Sequence, residues 1–255
     1  MSQPPNPFRH FLLQRLWLSC GLCALLLLAG CKNQNPDPNP DSDSKLPAAE
    51  ELSEPPATEE LAKPISLFDG KTLDSWEEIE FGGEGEIEIT DGVMSFEIGA
   101  ELTGIASTLE DLPKTNFEVS LEARKTAGVD FFCGLTFPVA DSHCTLILGG
   151  WGGDVCGLSC IDSKDASDNE TTSSIFFKKN QWYKIRVRVE PNQISAWVDD
   201  KQIVDANIEG RKISLRGDTS LCEPIGIASF QTGAEYRNIE LRKIKTKEDS
   251  KDSPK

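Results

Sequence analysis

From residue 116 onward much of the chain is written in a two-residue rhythm, and that rhythm restricts what it can become. In Asn116–Arg124, Phe117, Val119, Leu121 and Ala123 are apolar, while Glu118, Glu122 and Arg124 are charged. In Trp182–Glu190, Ile185, Val187 and Val189 alternate with Arg186, Arg188 and Glu190, and in Gln193–Val198, Ile194, Ala196 and Val198 share one parity. Successive side chains of an extended strand point to opposite faces, so each segment has one face for a core and one for water. Pro191-Asn192 between two of these runs predicts a hairpin turn, and Asp199-Asp200-Lys201 predicts another, leading into 202–208. Runs at 86–90, 93–98, 103–108, 129–137, 143–149, 155–161, 173–178, 226–230 and 236–244 predict further strands. No stretch carries a sustained helical period, so the chain is expected to be all-β, two antiparallel sheets packed as a sandwich or jelly roll.

The domain is expected over 65–244. Ahead of it, Arg9, His10 and Arg15 lead into an apolar run, Leu16 to Ala29, which ends in Leu28-Ala29-Gly30-Cys31. About fourteen residues suit the core of an export signal and fall short of the roughly twenty needed to span a bilayer. The small residues before the cysteine match a bacterial lipobox, so 1–30 reads as a lipoprotein signal peptide and Cys31 as the lipidated residue. Acyl chains contribute about 0.8 kcal/mol per buried methylene, which makes the lipid the sole expected membrane contact. Residues 31–64 hold seven prolines, at 36, 38, 40, 47, 55, 56 and 64, among Asn, Asp, Ser and Glu. Such a segment has too little to bury and is expected to be a disordered, stretched tether. Residues 245–255 form a charged tail. The expected location is the cell envelope, outer membrane or periplasm-facing.

The formal net charge of −16 argues against a nucleic-acid partner, whose phosphates an acidic surface repels. Export permits disulfides. Cys133 and Cys144 flank a predicted turn near 138–142 and could face each other, Cys156 and Cys160 form a second candidate pair, and Cys222 is left over. Buried free thiols, or zinc held by Cys156 and Cys160 with His143, are the competing readings.

Three segments resemble the 3-keto-disaccharide hydrolase domain family, also known as domain of unknown function 1080. They are Leu67-Phe-Asp-Gly-Lys-Thr-Leu-Asp-Ser-Trp76, then Asn180-Gln-Trp-Tyr-Lys-Ile-Arg-Val with Ile194-Ser-Ala-Trp-Val-Asp-Asp, and last Pro224-Ile-Gly-Ile-Ala-Ser-Phe-Gln231 with Tyr236-Arg-Asn-Ile239. The resemblance implies a concanavalin A-like jelly roll and action on oxidised sugars. The sequence departs from the family at Ser75, where glycine is usual, in Gly128-Val-Asp-Phe-Phe-Cys-Gly134, and at Gly233, where the family often has histidine.

The implied reaction needs a carboxylate or histidine base beside an arginine, another cation or a divalent metal. His143, the one histidine beyond the signal segment, is the candidate base or ligand, with Asp141, Asp154 and Arg186 as its expected companions in a catalytic cluster. Gly149-Gly-Trp-Gly-Gly-Asp154 offers Trp151 as a flat face for a sugar ring. Arg188 and Gln231 complete the expected substrate-binding set. Asp162, Asp165, Asp168, Asn169 and Glu170 form an acidic loop that could take calcium but is more often simply solvated, and arginines on a strand's polar face, as Arg186 and Arg188 are, more often pair with neighbouring acids, here Glu118 or Glu122. Trp76, Trp182 and Trp197 are expected in the core. Two functions follow: a lyase or hydrolase acting on keto-sugar glycosides, or a glycan-binding surface lipoprotein without catalysis. The first predicts base and cation converging in one cleft, the second an exposed Trp151 groove without them. Carbohydrate is the expected partner in both, with oligomeric state left open.

Overall fold

The computed structural model describes residues 61–245. The lipobox, Cys31, the tether through residue 60 and the tail beyond 245 lie outside the described residues. The described residues all fall within one compact unit.

The described residues form two antiparallel sheets. The first runs β13 (Lys201–Asn207), β12 (Gln193–Val198), β11 (Tyr183–Glu190), β6 (Phe117–Lys125), β15 (Ala234–Lys243), β4 (Val93–Phe96) and β3 (Ile87–Thr90), with β1 (Ile65–Ser66) also paired to β15. The second runs β10 (Ser173–Ser174), β9 (Val155–Ser159), β8 (Ser142–Gly150), β7 (Cys133–Val139), β14 (Gly226–Phe230), β5 (Leu102–Ser107) and β2 (Trp76–Glu78). Hairpin-paired runs, β11–β13 and β7–β10, are joined in each sheet to strands far off in sequence, as β6 to β15 and β7 to β14, a jelly-roll pattern. The inner faces meet through the alternating sets expected from sequence: Phe117, Val119 and Leu121 of β6 and Val187 of β11 share one core with Leu135, Phe137, Leu146 and Leu148. Each such fully buried side chain contributes about 1.5–3 kcal/mol.

The family-like motifs are scaffold. Leu67 and Phe68 are buried, the Asp69 carboxylate accepts the Lys71 and Thr72 N–H groups, and Trp76 donates its indole N–H to the Leu67 carbonyl at 2.7 Å. These backbone donors hold the Asp69 carboxyl below its ordinary range. In the closing motif Arg237 pairs with Glu122, Asn238 sits at φ 53 where β15 shifts register, and Ile239 is core.

Four expectations are corrected. Cys133 lies opposite Leu148 and Cys144 opposite Phe137, because the β7–β8 turn falls at 140–141, and all five described cysteines are free and buried. Burial disfavours the thiolate and pushes the Cys144 and Cys222 thiols up to about 12. Trp76 is core, but Trp182 and Trp197 stand on the outer face of the first sheet under Arg124, Arg237 and Arg186. The strand expected over 129–137 begins at Cys133, since Asp130 bends the chain by accepting the Phe131 N–H while its own N–H goes to Thr232 Oγ1. The strand expected over 173–178 stops at Ser174, where the chain leaves to cross to β11 and Lys178 N–H donates to the Tyr183 hydroxyl.

The sandwich has two distinct poles. Phe117 and Lys243 pair at one end, where Leu61 bridges Ile244, so the chain enters the described sandwich there. Lys125 and Ala234 pair at the other end. Loops 126–132, 149–154 and 231–233 gather at that distal pole, joined by the Thr126 N–H to Gly233 carbonyl bond.

Candidate functional site

The outer face of the second sheet carries a run of small residues beside Leu102, Ile147 and Phe230. Where β7, β8, β9, β14 and β5 turn away from the core they present Gly134, Thr136, Thr145, Ser159, Ala228, Gly104 and Ala106. A Cβ on Gly104 would come within 2.8 Å of the Ile227 carbonyl oxygen, so this floor is made thin by backbone packing. Loops roof it unevenly. The 3-10 turn Gly217–Cys222 lies over it, with Thr145 Oγ1 3.4 Å from Thr219 Oγ1 and Cys222 packed among Leu102, Ala106 and Ala228.

Between this turn and the distal pole a cleft of about 210 Å³ remains open. Asp130, Phe131, Trp151 and Phe230 line it on one side, Arg216, Asp218 and Thr219 on the other, with Thr145, Ile147 and Ser159 as floor. Asp130 Oδ1 accepts the Phe131 N–H at 2.8 Å and Oδ2 the Gly152 N–H at 3.2 Å, which ties the tryptophan loop to the β6–β7 loop. A carboxylate has about four acceptor positions, so both oxygens keep capacity for a ligand. Arg216 is held by Asp165 (Nη1 to Oδ2, 3.2 Å) and Asp218 (Nε to Oδ2, 3.1 Å), and Asp165 Oδ1 accepts in turn from Ser159 Oγ and Cys160 Sγ. A guanidinium has five N–H donors, so this clamp orients Arg216 without exhausting it.

Trp151 occupies the left-handed region at φ 50, between Gly149 at φ 79 and Gly152 at φ 99, just past a register shift in the β8–β9 pair. That conformation costs a non-glycine residue roughly 1–2 kcal/mol, so the ring is set at the loop tip against backbone preference, a pattern that collects at ligand sites.

The other residues expected at a site do not converge on this cleft. His143 and Asp141 lie toward the entry pole, His143 Nδ1 3.3 Å from Glu223 and Asp141 3.7 Å from Lys114. His143 is eight residues from Trp151 along β8, roughly 26 Å at strand rise. Asp154 accepts the Ser174 hydroxyl at 2.7 Å beside the tryptophan loop. Arg186 and Arg188 are on the outer face of the first sheet, both bound to Glu118, with Arg186 3.8 Å above the Trp197 ring. Gln231 donates to the Ala100 carbonyl. Three acids of the acidic loop are paired with arginines of a later segment: Arg211 binds Asp162 and Glu170, and Arg216 binds Asp165. The Lys212 N–H and Arg211 hold the Asp162 carboxyl below its ordinary range. Among the described residues no three His, Cys, Asp or Glu side chains are grouped as metal ligands. At Gly233, a Cβ would lie 2.7 Å from Thr126 Oγ1, so packing excludes a histidine from that position without rearrangement.

Asp130 and Arg216 are the functional candidates that sequence reasoning passed over. Asp130 carried a signal, a lone acid between Val129 and Phe131-Phe132 in the segment that departs from the family pattern. Arg216 carried none, since 209–222 has no periodicity.

No curated protein matches the chain. Among solved structures the chain is similar to the Crh5 transglycosylase in complex with NAG, at TM-score 0.50 and 8% identity over 74% of this chain and 87% of that one. It is also similar to a Bacillus licheniformis beta-glucanase, at TM-score 0.46 and 11% identity over 71% and 97% of the two chains. A third likeness is to the carbohydrate binding module CBM66 from Bacillus subtilis, at TM-score 0.43 and 13% identity over 65% and 93%. At such identities the likeness is one of fold. The profile of the 3-keto-alpha-glucoside-1,2-lyase-like domain matches residues 63–242, nearly the whole described sandwich, and the chain belongs to that family.

Proposed function

We propose that the cleft on the second sheet binds a 3-keto-glycoside and eliminates its C1 substituent. The observation that carries this reading is the presence of an aromatic face, a carboxylate and a guanidinium, Trp151, Asp130 and Arg216, in one lining. Trp151 stacks on the sugar ring. Asp130 takes the C2 proton, made acidic by the C3 ketone, and Arg216 stabilises the resulting enolate oxygen. The enolate then re-forms the C3 carbonyl, C1=C2 forms, and the C1–O bond breaks to release an alkoxide that takes up a proton. Water adding across C1=C2 completes net hydrolysis. Membership in a family described by 1,2-lyase chemistry supports the same reaction.

The test incubates the full chain, purified in detergent, with 3-keto-glucosides and follows substrate loss. Turnover that Asp130→Asn abolishes is expected; turnover unaffected by that change would remove the assignment. A second reading, glycan binding without turnover, is favoured by one observation: Arg216 already has two carboxylate partners and each Asp130 oxygen already accepts a backbone N–H. Binding to a glycan panel with no loss of any keto-glucoside would select it.

We also propose that Cys31 is acylated and that the sandwich works from a membrane anchor in the cell envelope. Fatty-acid labelling that Cys31→Ser eliminates, with release of the chain from the membrane fraction, is the expected outcome; labelling that persists would end this proposal.

A further inference from the structure

Of the six large apolar side chains left exposed among the described residues, three stand around the tryptophan loop at the distal pole. Val129 is 69% exposed, Trp151 42% and Phe176 81%. All three adjoin the tryptophan loop. The Val129 carbonyl lies 3.0 Å from where a Cβ on Gly153 would stand, and Val129 is next in sequence to Asp130 of the cleft. On the other flank the Ile175 N–H donates to the Asp154 carbonyl at 2.9 Å, which sets Phe176 at the distal end of β10, alongside the Asp154 end of the tryptophan loop. Its neighbour Phe177 is buried against Phe132 and Tyr183, so the backbone at 176–177 is anchored and the Phe176 ring is held outward.

We propose that the distal pole extends the cleft into a platform for an oligosaccharide chain, with Phe176 as an outlying stacking residue beyond Trp151. This rests on the carbohydrate reading of the cleft. The occupant is argued from continuity and from composition. The platform begins at the cleft lining itself. Its rings are separated by glycines and by polar groups such as the Asp154–Ser174 pair, whereas a surface made for a protein partner has a contiguous apolar centre. Aromatic rings spaced among hydrogen-bonding groups suit sugar rings, which offer apolar C–H faces and polar edges. The chain enters the described sandwich at the opposite pole, by way of Leu61, so the platform and the cleft mouth are turned away from that entry. A ligand longer than one ring can therefore reach them unobstructed by residues 61–66.

The experiment measures binding of cello- and malto-oligosaccharides of two to six rings to the full chain in detergent, by calorimetry, for the wild type, Phe176→Ala and Trp151→Ala. Affinity in the wild type is expected to rise at least fivefold between two and four rings in one of the series. Phe176→Ala should flatten that rise while leaving two-ring binding unchanged, and Trp151→Ala should weaken binding at every length. An unflattened rise in Phe176→Ala, no rise in the wild type, or no binding of either series overturns the platform. So does a dimer, seen by sedimentation, that Phe176→Ala dissociates, because the pole would then be a contact between copies. Keto-glucoside turnover measured on the same samples separates the two readings. Absent turnover with an intact length dependence overturns the lyase assignment and leaves the platform standing, and the reverse result does the opposite.

Discussion

The two outer faces of the sandwich are made from strands of the same kind, yet they differ in what their side chains do. On the first sheet long charged residues pair across strands: Glu118 holds Arg186 and Arg188, Glu122 holds Arg237, Glu235 holds Arg124, and three of these arginines lie over Trp182 and Trp197. Cross-strand pairs of opposite charge and cation–π contacts each add a modest stabilisation, and together they fill the surface. On the second sheet small residues such as Gly104, Gly134, Thr145 and Ser159 share the outer face with Leu102, Ile147 and Phe230, and the charged groups at the cleft come from loops that arch over them. One face satisfies itself. The other leaves a volume that its own strands cannot fill.

The contrast can be tested by substituting one face at a time. The largest effect is expected at Asp130. Replacement by Asn should lower keto-glucoside turnover by about 10²–10⁴-fold, the usual contribution of a positioned base, while costing no more than about 1 kcal/mol of stability for the one backbone N–H that the amide nitrogen cannot accept. Comparable loss of activity from Arg186→Ala would break the contrast. Next is Glu118→Ala, which removes the carboxylate that Arg186 and Arg188 share above the first sheet. A loss of about 2 kcal/mol in unfolding free energy is expected, below the 3–5 kcal/mol for a fully buried pair because the arginines are partly exposed. Ligand binding should not change; a large change would mean that the first face also serves the site. Trp151→Ala should weaken ligand binding roughly tenfold, about 1.4 kcal/mol, and should slightly raise or leave unchanged the stability because the positive-φ strain is eased.

The last test concerns the core beneath both faces, whose effect is absent at neutral pH. Unfolded thiols lose their protons near pH 8.5, while burial pushes those of Cys156 and Cys144 up to about 11 and about 12 in the folded chain. The folded state then holds protons that the unfolded state releases. The stability contributed is complete below about pH 8.5 and is lost as pH rises toward 11–12. Urea titrations at stepped alkaline pH should show a falling midpoint, and native chains should react with a thiol reagent far more slowly than denatured ones. Rapid native labelling of Cys133, which is fully buried, would contradict the described core.

Legibility in the sequence followed the same division. The strands of the first sheet were readable because one side of each faces water and the other the core, so charge and apolarity alternate; β6, β11 and β12 lie within a residue or two of their expected bounds. The expectation for Trp182 and Trp197 failed because alternation assigns parity, while tryptophan was read by its apolarity alone. The distal strand ends were misjudged at 129–132 and 175–178, where side-chain hydrogen bonds from Asp130 and Tyr183 compete with the ladder. Trp151 could be singled out, since four glycines around one tryptophan are conspicuous in any reading. Asp130 and Arg216 could not be brought together, being 86 positions apart in sequence with no pattern linking them.

The amino-acid sequence by itself therefore determined an all-β sandwich, the inward set of side chains, the family motifs and an unusual glycine-flanked tryptophan, because periodicity and local turn chemistry act between near neighbours. Only the tertiary structure decided which outer face is vacant, that His143 and Arg186 are kept from the Trp151 cleft, and that loops from three parts of the chain deliver Trp151, Asp130 and Arg216 to one volume. The reason is physical: sheet pairing joins segments far apart in sequence, and the contents of a cleft depend on those pairings rather than on the residues flanking any one of them.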